Sequence, residues 1–154
     1  ALYHMAFGIH YVVLRFSNVY GERQGDGGEG GVISIFAKRL AKGQDITIFG
    51  NGKQTRDFVY AGDIARGIRL ALTTPNADTC YNLSTQTEIS LNELVTILSR
   101  ITGKEITPSY GPAREGDIYR SSLSNEKAVK NLHWTPEVSL EEGLKRTYQY
   151  FVKK

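Results

Sequence analysis

Ile46 to Asp63 reads ITIFGNGKQTRDFVYAGD. A short apolar segment runs into Gly50-Asn51-Gly52-Lys53, and a second β-rich stretch follows with Arg56 at its mouth. The pattern predicts a β hairpin, because Asn-Gly between two apolar runs is a common hairpin turn. Its chemistry also suits a loop that meets a ligand. Gly50 and Gly52 allow close backbone approach, and Arg56 offers a planar fork of donors to a phosphate. A surface turn carrying a solvated arginine has the same local pattern, so the surrounding chain has to decide between the two.

Upstream, Leu2, Met5 and Ala6 share one face of a helix tail over Ala1 to Phe7, with Gly8 as its stop. Ile9 to Phe16 (IHYVVLRF) is a β-branched and aromatic run, which predicts a strand buried on both faces of a parallel sheet. After Ser17-Asn18-Val19-Tyr20-Gly21 comes a glycine-rich loop to Gly31, then a helix over Val32 to Lys42. Downstream, Asp63 opens an amphipathic helix to about Thr73, stopped by Pro75, and Cys80 to Leu83 reads as a short strand. Ser90 with Glu93 and Ser139 with Glu142 are capping boxes that open two helices, and Ser124 caps another that ends at Leu132. Ile106 to Tyr110 is extended, and the loop Gly111 to Asp117 carries Arg114 and Asp117. Alternating strands and helices make an α/β chain.

The 154 residues suffice for one domain with a real core. A formal charge of +3, spread without a basic run, does not imply nucleic acid. Cys80 is the single cysteine and cannot form an internal disulfide, which fits a reducing compartment. No apolar run approaches the roughly 20 residues of a membrane span, and the start lacks a signal-peptide pattern. A cytoplasmic protein without a membrane partner is therefore expected.

Gly25 to Gly30 matches G-x-G-x-x-G but follows no first strand of a βαβ unit, so it reads as a loop. Tyr150 and Lys154 have Tyr-x-x-x-Lys spacing at the end of the last helix, where chance is the better account. His4, His10 and His133 show no metal-ligand spacing, and neither a metal ligand nor a catalytic residue is assigned.

Four segments in order carry a resemblance: Leu14-Arg15-Phe16-Ser17-Asn18-Val19-Tyr20-Gly21, Ile48 to Tyr60, Arg114-Glu115-Gly116-Asp117, and Trp134-Thr135-Pro136 with Leu140-Glu141-Glu142-Gly143-Leu144. Together they resemble the C-terminal half of extended short-chain dehydrogenases, the NAD-dependent epimerase/dehydratase family, and within it the UDP-glucose 4-epimerases. The resemblance implies a partial Rossmann-like parallel sheet plus a small α/β substrate-binding domain. Residues 9–16 and 80–84 would be sheet strands, and residues 22–62 and 85–154 mainly the substrate-binding part.

Further implications concern single residues. Ser17 would lie against the nicotinamide end of NAD, and Asn18 would hydrogen-bond the diphosphate of a UDP-sugar. Val32 and Thr47, Ile48 and Phe49 would line the base and ribose. Arg56 and Arg114 would clamp the diphosphate, and Asp117 would face the ribose or orient Arg114. The family's NAD fingerprint and Tyr-x-x-x-Lys pair would stand upstream of Ala1, so the chain is expected to be a substrate-binding fragment, inactive alone, of an enzyme that forms a homodimer. Sugar-nucleotide 4,6-dehydratases and other epimerases of the family share the pattern; a non-catalytic nucleic-acid or nucleotide-binding module is the alternative of another class. Leu132-His133-Trp134 departs from the family's common Leu-Gly-Trp, and Ser121 stands where several epimerases have an aromatic residue near the sugar.

Overall fold

The computed structural model describes residues 2–25 and 30–154. In chain order these form α1 (Leu2–Phe7), β1 (Val12–Phe16), β2 (Asn18–Tyr20), α2 (Val32–Ala41), β3 (Thr47–Phe49), β4 (Thr55–Arg56) and β5 (Phe58–Tyr60). There follow α3 (Ala61–Thr73), β6 (Thr79–Leu83), β7 (Ile89–Ser90), α4 (Leu91–Thr102), β8 (Ser109–Gly111), β9 (Arg120–Ser121), α5 (Glu126–Leu132) and α6 (Leu140–Val152). The α/β class with parallel pairing holds. β1 runs parallel to β6, β2 to β5, β3 to β8 and β4 to β9, while β4 and β7 are antiparallel.

The stretch Ile46 to Asp63 is not a hairpin. Its strands β3, β4 and β5 belong to three different sheets. The reason lies in where the turn's polar groups go. Gly50 and Gly52 take positive φ of 86° and 72°, and the turn between them faces the start of α4 rather than an opposing strand. Asn92 donates its backbone N–H to the Gly52 carbonyl at 3.1 Å and its side-chain amide to the Asn51 carbonyl at 3.2 Å. A Cβ on Gly52 would lie 2.0 Å from the Asn92 side-chain oxygen, so only glycine fits. The Gln54 side-chain amide then closes the loop by donating to the Phe49 carbonyl at 2.7 Å.

The strand expected over Ile9 to Phe16 starts only at Val12, and it is not buried on both faces. Val12 and Leu14 point into the core, whereas Val13, on the opposite face, stays 46% exposed. Side chains alternate across a strand, and the helices cover one face here.

Two apolar clusters support the fold. One joins α2, α4 and α6 over β2, β3 and β5 through Phe36, Ile48, Leu94, Leu98 and Leu144. Each fully buried leucine there contributes roughly 1.5–3 kcal/mol. The other packs β5, α3, β6 and α5 around the fully buried Trp134, whose indole N–H donates to the Asp63 carbonyl at 2.8 Å. His133, just before it, takes the left-handed conformation at φ 52°, the backbone that glycine adopts at such helix ends. Its departure from Leu-Gly-Trp therefore leaves the helix end intact.

The caps differ in detail. Ser90 and Glu93 form a full capping box, whereas at α6 Ser139 accepts from the Glu142 N–H and the Glu142 carboxylate turns instead to Arg146 at 2.8 Å. At α5 the N-cap is Asn125, one residue beyond the predicted Ser124, whose hydroxyl accepts from the Glu126 N–H at 3.4 Å.

Candidate functional site

A cavity of about 220 Å³ opens between α2, β3, β4 and the loop after β8. Val32, Ile35 and Phe36 of α2 form its apolar wall together with Leu91. Thr47, Ile48 and Phe49 of β3, Arg56 of β4, and Gly30, Gln54, Arg114 and Asp117 complete the lining. The structure thus gathers seven of the nine residues singled out from the sequence around one space. Ile48 is fully buried and forms part of the floor, while Phe49 is partly open to solvent.

Charge in the cavity is held in place before any ligand arrives. Arg56 donates to the Thr55 carbonyl at 2.9 Å and to Asp117 Oδ1 at 2.6 Å, with its side chain 16% exposed. Asp117 therefore partners Arg56, whereas the sequence reading tied it to the ribose or to Arg114. Its link to Arg114 is a backbone one, the Asp117 N–H donating to the Arg114 carbonyl at 3.2 Å. The Arg114 guanidinium lies 4.2 Å from the centroid of the Phe49 ring, a cation–π stack. Gly111 permits this, since a Cβ there would press on the Phe49 ring at 3.2 Å. Two fixed guanidinium groups beside an aromatic face and an aliphatic wall suit a ligand with a flat apolar part and a multiply charged anion.

Ser17 and Asn18 stand outside this lining, at the carboxyl end of β1, where parallel α/β sheets hold ligands. One residue that the sequence reading left without a role joins them to the cavity. Asp57, fully buried, follows Arg56 directly. Its carboxylate accepts from the Ser17 hydroxyl at 3.2 Å, the Thr85 N–H and hydroxyl at 2.9 and 2.7 Å, and the Gln86 N–H at 3.1 Å. Its carbonyl accepts from the Asn18 N–H at 2.8 Å and the Asn18 side-chain amide at 3.1 Å. An acidic residue inside the apolar run Asp57-Phe58-Val59 was the available signal, because a charge buried in a strand demands a ring of donors.

Around β4 a second ion pair braces the site. Glu88 accepts from the Thr55 hydroxyl at 2.7 Å and from Arg120 Nε at 2.7 Å, and the Arg120 hydrogen bond holds its carboxyl below the usual glutamate range. A larger hollow of about 830 Å³ lies between Tyr20, Glu22, Tyr60 and Tyr150. Its carboxylate is already engaged: the Tyr60 hydroxyl donates to both Glu22 oxygens at 2.8 Å. Burial, and then this bond, raise the Tyr60 phenol above its ordinary pKa.

Of the remaining motifs, positions 26–29 of the Gly25 to Gly30 match lie outside the described residues. Lys154 sits over the Tyr150 ring, 5.5 Å from its centroid. Cys80 is half-buried in β6. The histidines given no role turn out differently: His4 and His10 converge on Asp78, a partner 68 positions from His10 that no local spacing could reveal. No helix among the described residues is long and apolar enough to cross a membrane.

Comparison with known proteins adds four findings. A family model described as the NAD dependent epimerase/dehydratase family matches residues 1–84. A Methanocaldococcus jannaschii protein is 46% identical over 149 residues, 97% of this chain and 48% of its own length. The crystal structure of Thermotoga maritima UDP-glucose 4-epimerase with UDP-glucose matches at 42% identity and a TM-score of 0.94, over 99% of this chain and 49% of that one. Bacillus cereus UDP-glucuronic acid 4-epimerase, in complex with UDP-glucuronic acid and NAD, matches at 32% identity and a TM-score of 0.88, over 99% and 48%. The chain spans about half the length of the relatives it matches.

These matches correct one expectation. The family model lies on residues 1–84, which build the parallel β1–β6 pair and the α3 helix packed on it. The chain is therefore not a substrate-binding piece set apart from the nucleotide-binding fold, and the expectation of a fragment that must be inactive alone falls with that description.

Proposed function

Because the chain belongs to the NAD dependent epimerase/dehydratase family, we propose that its protein is an NAD-dependent enzyme acting on nucleotide sugars, of UDP-glucose 4-epimerase type, and that the cavity beside Arg56 holds the nucleotide diphosphate. The observation that carries this reading is the convergence of Arg56, Arg114 and Phe49 on one space. Phe49 and the α2 wall take the base, Thr47 takes a ribose hydroxyl, and the two guanidinium groups neutralise the diphosphate. Asp117 keeps the Arg56 fork aligned and lies within reach of the ribose. Both solved epimerases named above are complexes with UDP-sugars, which supports a uridine nucleotide.

Asn18 and Ser17 extend this site toward the sugar. Their backbone and side chains are fixed by Asp57, so the Arg56 strand and the end of β1 move as one unit. The residues at this end fit one wall of an NAD site, as the hydroxyl of Ser17 stands where a parallel sheet presents ligands. NAD, when bound, supplies reversible hydride transfer at a sugar carbon. The reading also takes residues 22–62 and 85–154 as mainly substrate-binding and residues 9–16 and 80–84 as sheet strands, in a cytoplasmic homodimer.

Incubating the protein with UDP-glucose and NAD and separating the nucleotide sugars tests the reaction. The expected result is UDP-galactose, with Arg114→Ala raising KM more than it lowers kcat. A dehydrated product, or turnover indifferent to Arg114→Ala, would overturn the assignment.

A further inference from the structure

Away from the nucleotide cavity, the geometry points to a divalent transition-metal site formed by His4, His10 and Asp78. The three side chains offer one ligand atom each within 4.8 Å of one another. His4 Nδ1 lies 3.1 Å from Asp78 Oδ1 and His10 Nδ1 lies 2.7 Å from Asp78 Oδ2, with the imidazole centroids 5.4 Å apart. Bond lengths near 2.0–2.2 Å to nitrogen and oxygen separate neighbouring ligands of a tetrahedral zinc ion by roughly 3.3 Å. Small rotations of the two rings would thus admit the ion between groups that already face each other.

The backbone builds the cluster from two distant segments. Gly8, at φ 68°, closes α1 with its N–H on the His4 carbonyl at 2.8 Å and turns the chain back, so that His10 returns to His4. Asp78 is held in the left-handed region at φ 59°, a conformation that aspartate tolerates better than most residues. Its N–H donates to the Tyr11 carbonyl at 2.7 Å, and the Tyr11 N–H donates to Asp78 Oδ1 at 3.3 Å. Outer partners of this kind orient a ligating carboxylate.

The site is open rather than closed. His10 is 72% exposed, which leaves a path for the ion and a fourth position for water. His4 Nδ1 also lies 3.3 Å from the Ile9 carbonyl, so metal binding has to release that contact and move the proton to the other ring nitrogen. Two imidazoles and one carboxylate favour zinc, nickel or copper over magnesium and calcium, which prefer all-oxygen sets.

Zinc titrated into the protein against a chromophoric chelator tests the site. One equivalent is expected to bind, and His10→Ala and Asp78→Asn are each expected to weaken it at least about tenfold, the loss that even an outer-shell change causes. His133→Asn, which alters a histidine outside the cluster and keeps a residue tolerant of φ 52°, is expected to bind as the unaltered chain does. Circular dichroism of each variant separates lost ligands from lost fold, and His10, being exposed, is the substitution that leaves the fold intact. Equal zinc affinity in His10→Ala and the unaltered chain, or equal binding of magnesium and zinc, would overturn the assignment.

Discussion

Arg56 and Asp57 are neighbours on the chain and have opposite surroundings. Asp57 is sealed from water, and its carboxylate is met by four donors from Ser17, Thr85 and Gln86. Arg56 points the other way, into a cavity, where one carboxylate and one carbonyl occupy part of its fork. The difference follows from the alternation of side chains along an extended segment, which sends consecutive residues to opposite faces. One face is satisfied wholly from within the protein, and the other keeps donors for something that arrives. Rigidity at Asp57 is what allows Arg56 to be exact in position while remaining incompletely paired.

Breaking the inner member has the largest expected effect. Asp57→Ala removes the acceptor of four part-buried hydrogen bonds, each worth about 1–3 kcal/mol, so a loss of roughly 3–5 kcal/mol in urea unfolding is expected. A loss under about 1 kcal/mol would mean that the corner is not what fixes the strand. Breaking the outer member, Arg56→Ala, is expected to leave stability within about 1 kcal/mol and to weaken UDP binding on the order of 100-fold, as for other truncated charge pairs. The reverse pattern, lost stability with retained binding, would dissolve the contrast between the two residues.

The turn that precedes both sharpens it. Gly52→Ala places a methyl 2.0 Å from the Asn92 side-chain oxygen on a backbone at φ 72°, and a cost of about 1–3 kcal/mol in thermal unfolding is expected together with weaker UDP binding. The smallest effect belongs to the cap of the helix on which that turn rests. Ser90→Ala is expected to cost about 1 kcal/mol near neutral pH. The Ser90 hydroxyl and N–H hold the Glu93 carboxyl below its ordinary value. Because the folded pKa is the lower one, the Glu93 contribution is fully present above the ordinary glutamate pKa and is lost as pH falls through the folded value. Urea unfolding of both chains across that acid range checks the sign: the difference between them should shrink toward low pH.

What was readable from the sequence follows the range of the interaction. Helices α2, α3, α4 and α6 announce themselves through apolar spacing and through Ser90 and Ser139, since these signals lie within one or two turns. The residues around the cavity were reached through the motif from Ile48 to Tyr60 and through Arg114 to Asp117. The hairpin failed because β3, β4 and β5 are two or three residues long and pair with strands far away in sequence. An Asn-Gly turn carries no information on whether its carbonyls face a strand or, as here, Asn92 of α4. Asp57 and the His4, His10 and Asp78 cluster escaped for the same reason, as every partner of theirs that matters comes from another part of the fold.

The central claim is that Arg56 and Arg114 receive the diphosphate of a uridine nucleotide. It is tested most directly by following the guanidinium N–H resonances of the labelled protein as UDP is added. The account predicts saturable shifts at both arginines, with uridine protons saturated by the Phe49 ring. UDP that binds without moving either guanidinium signal, or no saturable binding at all, would contradict it.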